Sequence, residues 1–232
     1  MKAILLLLSV SLGATLSFAE IPPDTYSRAI FSDDFAANGF GKRWGHYKSG
    51  SEVKDGVLVG ITPEGSDHSA VDNIVIEPER DLEVSVKFRF VSDKAKSFNV
   101  WLDDKKFKGS HAGHICNINV SPKNLTIGDA KTGAFRLDLY TKRKTPEGLT
   151  AEEKDYLKTK QKSQPIQVSL QDWHTLVIRT KADAVEVLID GKPVGDFKSE
   201  GIGHDSKTLV SLTTNPVDVH YDDFSIKGAA KP

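Results

Sequence analysis

The amino-acid sequence predicts an all-β fold, a sandwich of two antiparallel sheets with one short surface helix. Apolar and polar residues alternate over short runs through most of the chain, which is the period of half-buried strands. Turn signals such as Asp55-Gly56 and Asp190-Gly191 interrupt these runs, and Asp-Gly is typical of tight hairpin turns. Residues 20–232 suit a single domain, because one sandwich often contains about 200–250 residues.

The clearest predicted strands form a meander between residues 173 and 197. Leu176 and Ile178 lie on one side of its first strand, and Val185 and Val187 lie on one side of its second, since successive side chains of a strand point to opposite faces. Further strands are predicted at residues 57–61, 69–76, 82–91, 97–103, 114–120, 134–140, 166–170, 208–213 and 217–226.

A short helix is predicted inside the long segment 141–165. Thr150 and Glu153 have the spacing of a capping box, and residues 154–162 are rich in helix-forming side chains. A segment of this length is either a lid over a functional site or a solvated basic insertion without a role.

The first 19 residues have the pattern of a signal peptide. Lys2 supplies a positive charge, residues 3–16 are apolar, and small residues at Ser17 and Ala19 occupy the positions that a signal peptidase inspects. A membrane anchor is the alternative, but a spanning helix needs about 20 apolar residues. We therefore expect cleavage after Ala19 and export to the periplasm or the medium, with no membrane span in the remaining chain.

The charge balance and the cysteine content limit the partners and the covalent links that we expect for this chain. Acidic and basic residues nearly cancel, with 32 Asp and Glu against 31 Lys and Arg, which argues against a nucleic-acid partner. Cys116 is the only cysteine, so no intrachain disulfide can form. An exported domain without disulfides must be stabilised by its hydrophobic core.

One polar face in the middle of the sequence predicts carbohydrate binding. If the strands predicted between residues 82 and 140 are neighbours, their outward side chains form one surface. Its aromatic rings would stack on sugar C–H groups, and its amide, carboxyl and guanidinium groups would bind hydroxyls. The alternative is an ordinary solvated face with one exposed tryptophan. The predicted face consists of Arg89, Asn99, Trp101, Asp103, Asn117, Arg136, Asp138 and Tyr140.

Two pairs of side chains are candidate metal ligands. Asp34 and Asp223 lie near the two ends of the chain after residue 19, and terminal strands of a sandwich commonly pair, so their oxygens could hold a structural calcium ion. Alternatively, these aspartates end strands and bind backbone groups. His111 and His114 form a His-x-x-His pair, but no further ligand completes a transition-metal set. His114 shares strand parity with apolar neighbours, which favours a structural histidine.

Six motifs together resemble a known family. They are Asp-Asp-Phe at 33–35, Asp-Gly-Val-Leu at 55–58, Asp-Leu-Glu-Val-Ser-Val-Lys-Phe-Arg-Phe at 81–90, Trp-His-Thr-Leu at 173–176, Asp-Gly-Lys at 190–192 and Asp-Asp-Phe-Ser-Ile at 222–226. In this order, over almost the whole chain after residue 19, they resemble the bacterial 3-keto-disaccharide hydrolase domain family. The resemblance implies a concanavalin-A-like jelly roll akin to laminarinases and lichenases, export, and a role in glycan use.

Two carboxylates are candidate catalytic acids. Glycosidases need paired carboxylates at a set separation, and Glu79-x-Asp81-x-Glu83 has the spacing of the laminarinase signature. Pro78 precedes it, however, which places it at a strand entrance rather than in the middle of a strand. A charged strand edge is therefore the alternative for Glu83. Asp103, on the predicted polar face, is the other candidate.

The sequence leaves three functions open. The first is an exported carbohydrate-active protein that resembles 3-keto-glycoside hydrolases and acts on a glycosidic bond of a small or modified saccharide. The second is a glycan-binding module without catalysis. The third is an exported structural protein without a ligand.

Overall fold

A computed structural model describes residues 21–37, 39–215 and 219–230. The predicted signal peptide, residues 1–19, lies outside the described residues. Within them, fifteen strands and two α-helices follow in chain order. They are β1 Arg28–Asp33, β2 Trp44–Tyr47, β3 Glu52–Lys54, β4 Val57–Gly60, β5 Ala70–Glu79, β6 Leu82–Phe90, β7 Ser97–Asp103, β8 His114–Val120, β9 Asn124–Asp129, α1 Leu137–Lys142, α2 Ala151–Lys158, β10 Gln161–Pro165, β11 His174–Lys181, β12 Ala184–Ile189, β13 Lys192–Lys198, β14 Lys207–Asn215 and β15 Val219–Gly228.

The described strands form two antiparallel sheets, which confirms the predicted sandwich. The strands of sheet I run in the order β13-β12-β11-β6-β15-β4-β3, and β1 pairs with β15. The strands of sheet II run in the order β10-β9-β8-β7-β14-β5-β2. The first and last strands are therefore neighbours, as expected for a sandwich of this kind, and β11, β12 and β13 form the predicted meander. Among the described residues, no helix is long and apolar enough to cross a membrane.

The core lies between the inner faces of the two sheets. Val86 and Phe88 of β6 are completely buried, as are Phe98 and Val100 of β7. The rings of Phe88 and Phe98 meet across the sandwich with centroids 5.0 Å apart. Full burial of one such side chain stabilises a fold by about 1.5–3 kcal/mol, and burial of apolar side chains is the dominant favourable contribution to folding.

Two predicted strands are wrong, and the reasons differ. Only Arg136 of residues 134–140 forms a β-bridge, with Ser110, and the chain then turns into α1. Leu137 and Leu139 alternate as strand residues would, but a run this short also fits one helical turn. Residues 166–170 instead cross from sheet II to sheet I, while the strand before them, β10, occupies positions that the sequence assigned to a helix or loop.

The predicted surface helix is confirmed as α2. Its N-terminus has a complete capping box, because the Thr150 hydroxyl accepts from the Glu153 backbone N–H at 3.2 Å. The Glu153 carboxylate in turn accepts from the Thr150 N–H at 2.8 Å. Both bonds satisfy backbone donors that a helix start leaves without intrahelical partners.

Candidate active site

The outer face of sheet II has two rows of polar side chains. In the first row, Trp101 of β7 lies between Asn117 of β8 and Ser211 of β14. In the second row, Asn99 lies between Asn119 and Thr213. Because strand residues two apart share a face, both rows point away from the core. We call this surface the polar face; it consists of Asn73, Asn99, Trp101, Asn117, Asn119, Ser211 and Thr213.

Glycines give two asparagines of the polar face room to lie across the sheet. Gly128 of β9 pairs with Asn117, and a Cβ at Gly128 would lie only 2.5 Å from the Asn117 Oδ1. Gly45 of β2 pairs with Asn73, where a Cβ would lie 2.7 Å from Oδ1. These approaches leave no space for a side chain at either glycine, so both amides are held against the sheet.

A carboxylate–imidazole pair lies at one end of the polar face. The Nδ1 of His114 is 2.8 Å from the Oδ1 of Asp103. The Asp103 side chain is 4% exposed and that of His114 is 20% exposed, so the carboxylate lies behind the ring. Burial raises the pKa of Asp103, although the hydrogen bond and charge of His114 and the backbone N–H of Ile115 oppose the rise.

A β-bulge brings His114 to this position. Leu102 pairs with Cys116 and Asp103 pairs with His114, so Ile115 is an extra residue in β8. Such an insertion reverses strand parity at one point. The sequence therefore predicted His114 to share the parity of Cys116, whereas the structure places it beside Trp101, with ring centroids 4.3 Å apart.

An aromatic wall flanks this pair. Phe135 meets Trp101 edge to face, with centroids 5.2 Å apart. His111 stacks on Tyr140 at 3.9 Å with an interplanar angle of 11°, and the Arg143 guanidinium lies 5.3 Å from the Tyr140 ring centre. Burial lowers the pKa of His111, and nearby positive charge, including that of Arg143, adds to the effect.

The structure brings together part of the predicted carbohydrate-binding set. Asn99, Trp101 and Asn117 lie on the polar face, with Asp103 at its end. Tyr140 also reaches this end, but from helix α1 and through His111 rather than from a strand.

Three other predicted residues are not part of the polar face. Arg89 belongs to sheet I, where its guanidinium lies 3.1 Å from the His220 Nδ1 and 4.7 Å from the centre of the Trp173 ring. Arg136 and Asp138 bind each other through two hydrogen bonds of 2.7 and 2.9 Å.

The Glu79-x-Asp81-x-Glu83 motif forms ion pairs and a backbone contact around sheet I. The two Glu83 oxygens accept from Arg179 at 2.8 Å and from Lys227 at 3.0 Å. Glu79 binds Arg28 at 2.6 Å, and Asp81 accepts from a backbone N–H. Glu83 and Asp103 therefore lie in different sheets and do not form an acid pair on one surface.

The two aspartates of the predicted calcium site line one surface depression, together with Ser32, Asp33, Phe224 and Ser225. Asp223 binds the Lys87 ammonium at 2.6 Å, and Asp34 accepts from the Ala36 N–H at 3.1 Å. Within the described ranges, no three His, Cys, Asp or Glu side chains are grouped to hold a metal ion. Calcium binding by Asp34 and Asp223 stays a prediction.

Comparisons with known proteins agree with this architecture. The family described as the 3-keto-alpha-glucoside-1,2-lyase-like domain matches residues 30–227. The laminarinase from Rhodothermus marinus superposes with a TM-score of 0.61 at 14% identity, covering 88% of this chain and 98% of that one. SCLam, a non-specific endo-beta-1,3(4)-glucanase from family GH16, gives 0.61 at 13% identity and covers 91% and 94% of the two chains.

A third solved structure, the laminarinase from Flavobacterium sp. UMI-01, gives a TM-score of 0.58 at 12% identity and covers 86% of this chain and 100% of that one. At such identities the likeness shows the fold alone, and it confirms the concanavalin-A-like jelly roll. A search of curated protein sequences gives no match.

Proposed function

Because this chain belongs to the 3-keto-alpha-glucoside-1,2-lyase-like domain family, we propose that it is a carbohydrate-active enzyme that cleaves 3-keto-glycosides by elimination across C1 and C2. The observation that carries the proposal is the Asp103–His114 pair beside Trp101 on the polar face. The signal-peptide pattern of residues 1–19 supports export to the periplasm or the medium as part of the same proposal.

The chemistry needs one general base. A ketone at C3 acidifies the hydrogen on C2, so a base can remove it and leave an enolate. The enolate then expels the C1 oxygen substituent, which takes up a proton from the protonated base or from water and departs as an alcohol. The remaining sugar ring now has a C1–C2 double bond, which is conjugated with the ketone. Addition of water to that double bond would make the overall result a hydrolysis, as the resemblance to 3-keto-disaccharide hydrolases implies.

His114 is the group placed to act as this base. Hydrogen bonds from His114 and from the Ile115 N–H favour the ionised form of Asp103 against the effect of burial. In that form the carboxylate can only accept, so it fixes the proton of the neutral ring on Nδ1. Nε2 then has the free lone pair that takes a proton. A buried carboxylate that orients an imidazole also stabilises the imidazolium that forms. Asp103 is thus a positioning residue, and His114 is the proposed catalytic residue.

The polar face supplies the binding surface for the sugar. Trp101 presents a half-buried ring beside the base, and Asn99, Asn117 and Asn119 present amides that can both donate to and accept from hydroxyls. The amide of Asn119 already donates to Asn99 at 3.0 Å, which orders the two side chains before a sugar binds. Ordered binding groups lower the entropic cost of association.

A glycosidase mechanism with two carboxylates has less support. Such enzymes place two carboxyl groups on opposite sides of the bond, about 5–10 Å apart. The second candidate acid, Glu83, lies in the other sheet, and both its oxygens bind cations. The Asp103–His114 pair supplies a single base, which is sufficient when the ketone acidifies the C2 hydrogen of the substrate.

Glycan binding without catalysis is the second candidate function, because the same ring and amides would suffice for it. The test incubates the purified chain from Glu20 onward with a 3-keto-α-glucoside and with the unoxidised glucoside, and follows products by mass spectrometry. We expect cleavage of the keto sugar only, and a loss of about 100-fold or more in His114→Gln. His68→Gln is the matched control, because His68 is an exposed histidine bound to a backbone carbonyl. Binding of both sugars without product would favour the second function.

A further inference from the structure

A second constellation of reactive side chains lies where the chain crosses from sheet II to sheet I. The Ser169 Oγ is 2.9 Å from the Nε2 of His174. The Nδ1 of the same ring is 2.7 Å from the Asp190 Oδ2. These are the contacts through which a serine–histidine–aspartate triad activates its nucleophile.

The chain positions these three residues from separate elements. Ser169 lies in the crossing segment 166–173, His174 begins strand β11, and Asp190 begins the turn between β12 and β13. Asp190 has a positive φ of 51°, and its Oδ1 accepts from the Thr175 N–H at 2.8 Å. That second bond fixes the carboxylate and leaves Oδ2 for the histidine.

The hydrogen-bond chemistry sets the direction of proton transfer. The Asp190 carboxylate accepts only, so Nδ1 has the proton in the neutral ring and Nε2 accepts from the Ser169 hydroxyl at 2.9 Å. The Ser169 carbonyl oxygen, 3.3 Å from the same nitrogen, can accept from Nε2 only when the ring is protonated. Burial would raise the pKa of Asp190, but its bonds to His174 and Thr175 outweigh this and hold that pKa below its usual range. The carboxylate is therefore charged and able to stabilise an imidazolium.

The surroundings suit an ester with a small apolar acyl group. Ser169 is exposed, so a substrate can reach its hydroxyl. Leu170 and Trp173 beside it are 38% and 37% exposed, which is high for such large apolar side chains. A depression lined in part by Pro165, Ile166, Val168 and Pro193 also includes Asp190.

We propose that Ser169, His174 and Asp190 form a serine esterase centre, separate from the polar face, that hydrolyses esters of short aliphatic acids. Ser169 adds to the ester carbonyl carbon as its proton passes to the His174 Nε2. The bond to the alcohol oxygen breaks, and the alcohol leaves with that proton. Water then attacks the acyl-serine with His174 as base, releases the acid and restores the serine.

The experiment uses a fluorophosphonate probe and p-nitrophenyl acetate on the chain from Glu20 onward. We expect one phosphonyl adduct, mapped to Ser169 by peptide mass spectrometry, and ester hydrolysis that disappears in Ser169→Ala. Asp190→Asn keeps an acceptor for the Thr175 N–H and should still fold, yet it should slow both reactions at least tenfold. Ser163→Ala is the matched control, because Ser163 is an exposed serine bonded to a threonine hydroxyl.

His114→Gln should leave labelling of Ser169 unchanged, which separates this centre from the proposed lyase site. No adduct at Ser169, or labelling of Ser169 no faster than that of Ser163, would overturn the proposal. The three side chains would then only tie the crossing segment to the β12–β13 turn. Equal rates in native protein and Asp190→Asn would also contradict it, because the triad predicts a dependence on that carboxylate.

Discussion

The Nδ1 of His114 lies 2.8 Å from the Oδ1 of Asp103. The centroid of the same imidazole ring lies 4.3 Å from that of the Trp101 ring. One extra residue, Ile115, creates this relationship by shifting strand parity between Cys116 and His114. An imidazole, a buried carboxylate and a flat apolar ring therefore meet at one end of the polar face.

Trp101→Ala should weaken binding of a 3-keto-glucoside at least tenfold, about 1.4 kcal/mol, because the ring that we propose contacts the sugar is lost. Isothermal titration measures the affinity, and circular dichroism checks that the sandwich still folds. Trp173→Ala is the matched control, since Trp173 is also partly exposed but lies next to Arg89 of sheet I. Equal loss in both variants would contradict a binding role for the polar face.

Gly128→Ala should reduce sugar affinity through Asn117. The added Cβ would lie 2.5 Å from the Asn117 Oδ1, so the amide must leave its place against the sheet. In an Asn117→Ala background, the same glycine change should have almost no further effect on affinity, because its target is already gone. A double-mutant cycle measures this coupling, and additive losses would show that Gly128 acts otherwise.

Lys207 should make the free energy of unfolding increase with pH above about pH 8. It is completely buried, its ammonium binds the carbonyls of Arg80 and His204, and burial lowers its pKa to about 8 from 10.5. Between these two values the unfolded chain binds the proton and the folded chain does not, so folding becomes more favourable as pH rises. The full effect of that shift is about 3 kcal/mol.

Denaturant unfolding at pH 7, 8 and 9 tests this slope. Lys207→Met should flatten the rise relative to the native protein. The range stops at pH 9 because burial raises the pKa of the Cys116 thiol to about 12, and above pH 9 the unfolded thiol loses its proton first, which lowers stability. An unchanged slope in Lys207→Met would contradict the assignment.

Thr150→Ala should destabilise helix α2 without affecting the sugar site. Loss of an N-cap hydroxyl costs about 1 kcal/mol, and here it also breaks half of the capping box. Hydrogen exchange of the α2 amides should accelerate, while affinity for the 3-keto-glucoside stays constant. A matching fall in affinity would instead support the alternative that residues 141–165 act as a lid.

The alternation of apolar and polar residues along a single strand is visible in the sequence, and it predicted β7 and β8 with their observed bounds. Alternation does not show which sheet a strand joins. The sequence predicted Arg89 and Asn99 on one face. They lie on two different sheets, because the consecutive strands β6 and β7 belong to different sheets. Sheet membership depends on contacts between residues distant in sequence, which a local pattern does not contain.

The candidate site shows the same limit. Trp101 and Asp103 could be identified from their parity, but His114 was predicted to share the parity of Cys116 because the bulge at Ile115 leaves no mark in the alternating pattern. Tyr140 reaches the site from a helix that the sequence predicted as a strand. Ser169 and His174 are five residues apart, but Asp190 joins them only through the pairing of β11 with β12.

The fate of the C2 hydrogen tests the central claim most directly. A 3-keto-glucoside labelled with deuterium at C2 is cleaved by the native protein, and the products are examined by mass spectrometry and NMR beside a sample without enzyme. Elimination through His114 predicts that every cleaved sugar loses its C2 deuterium, and that His114→Gln stops both label loss and cleavage while Glu83→Gln does neither. Cleavage by the native protein with the C2 deuterium retained in the sugar would contradict the account.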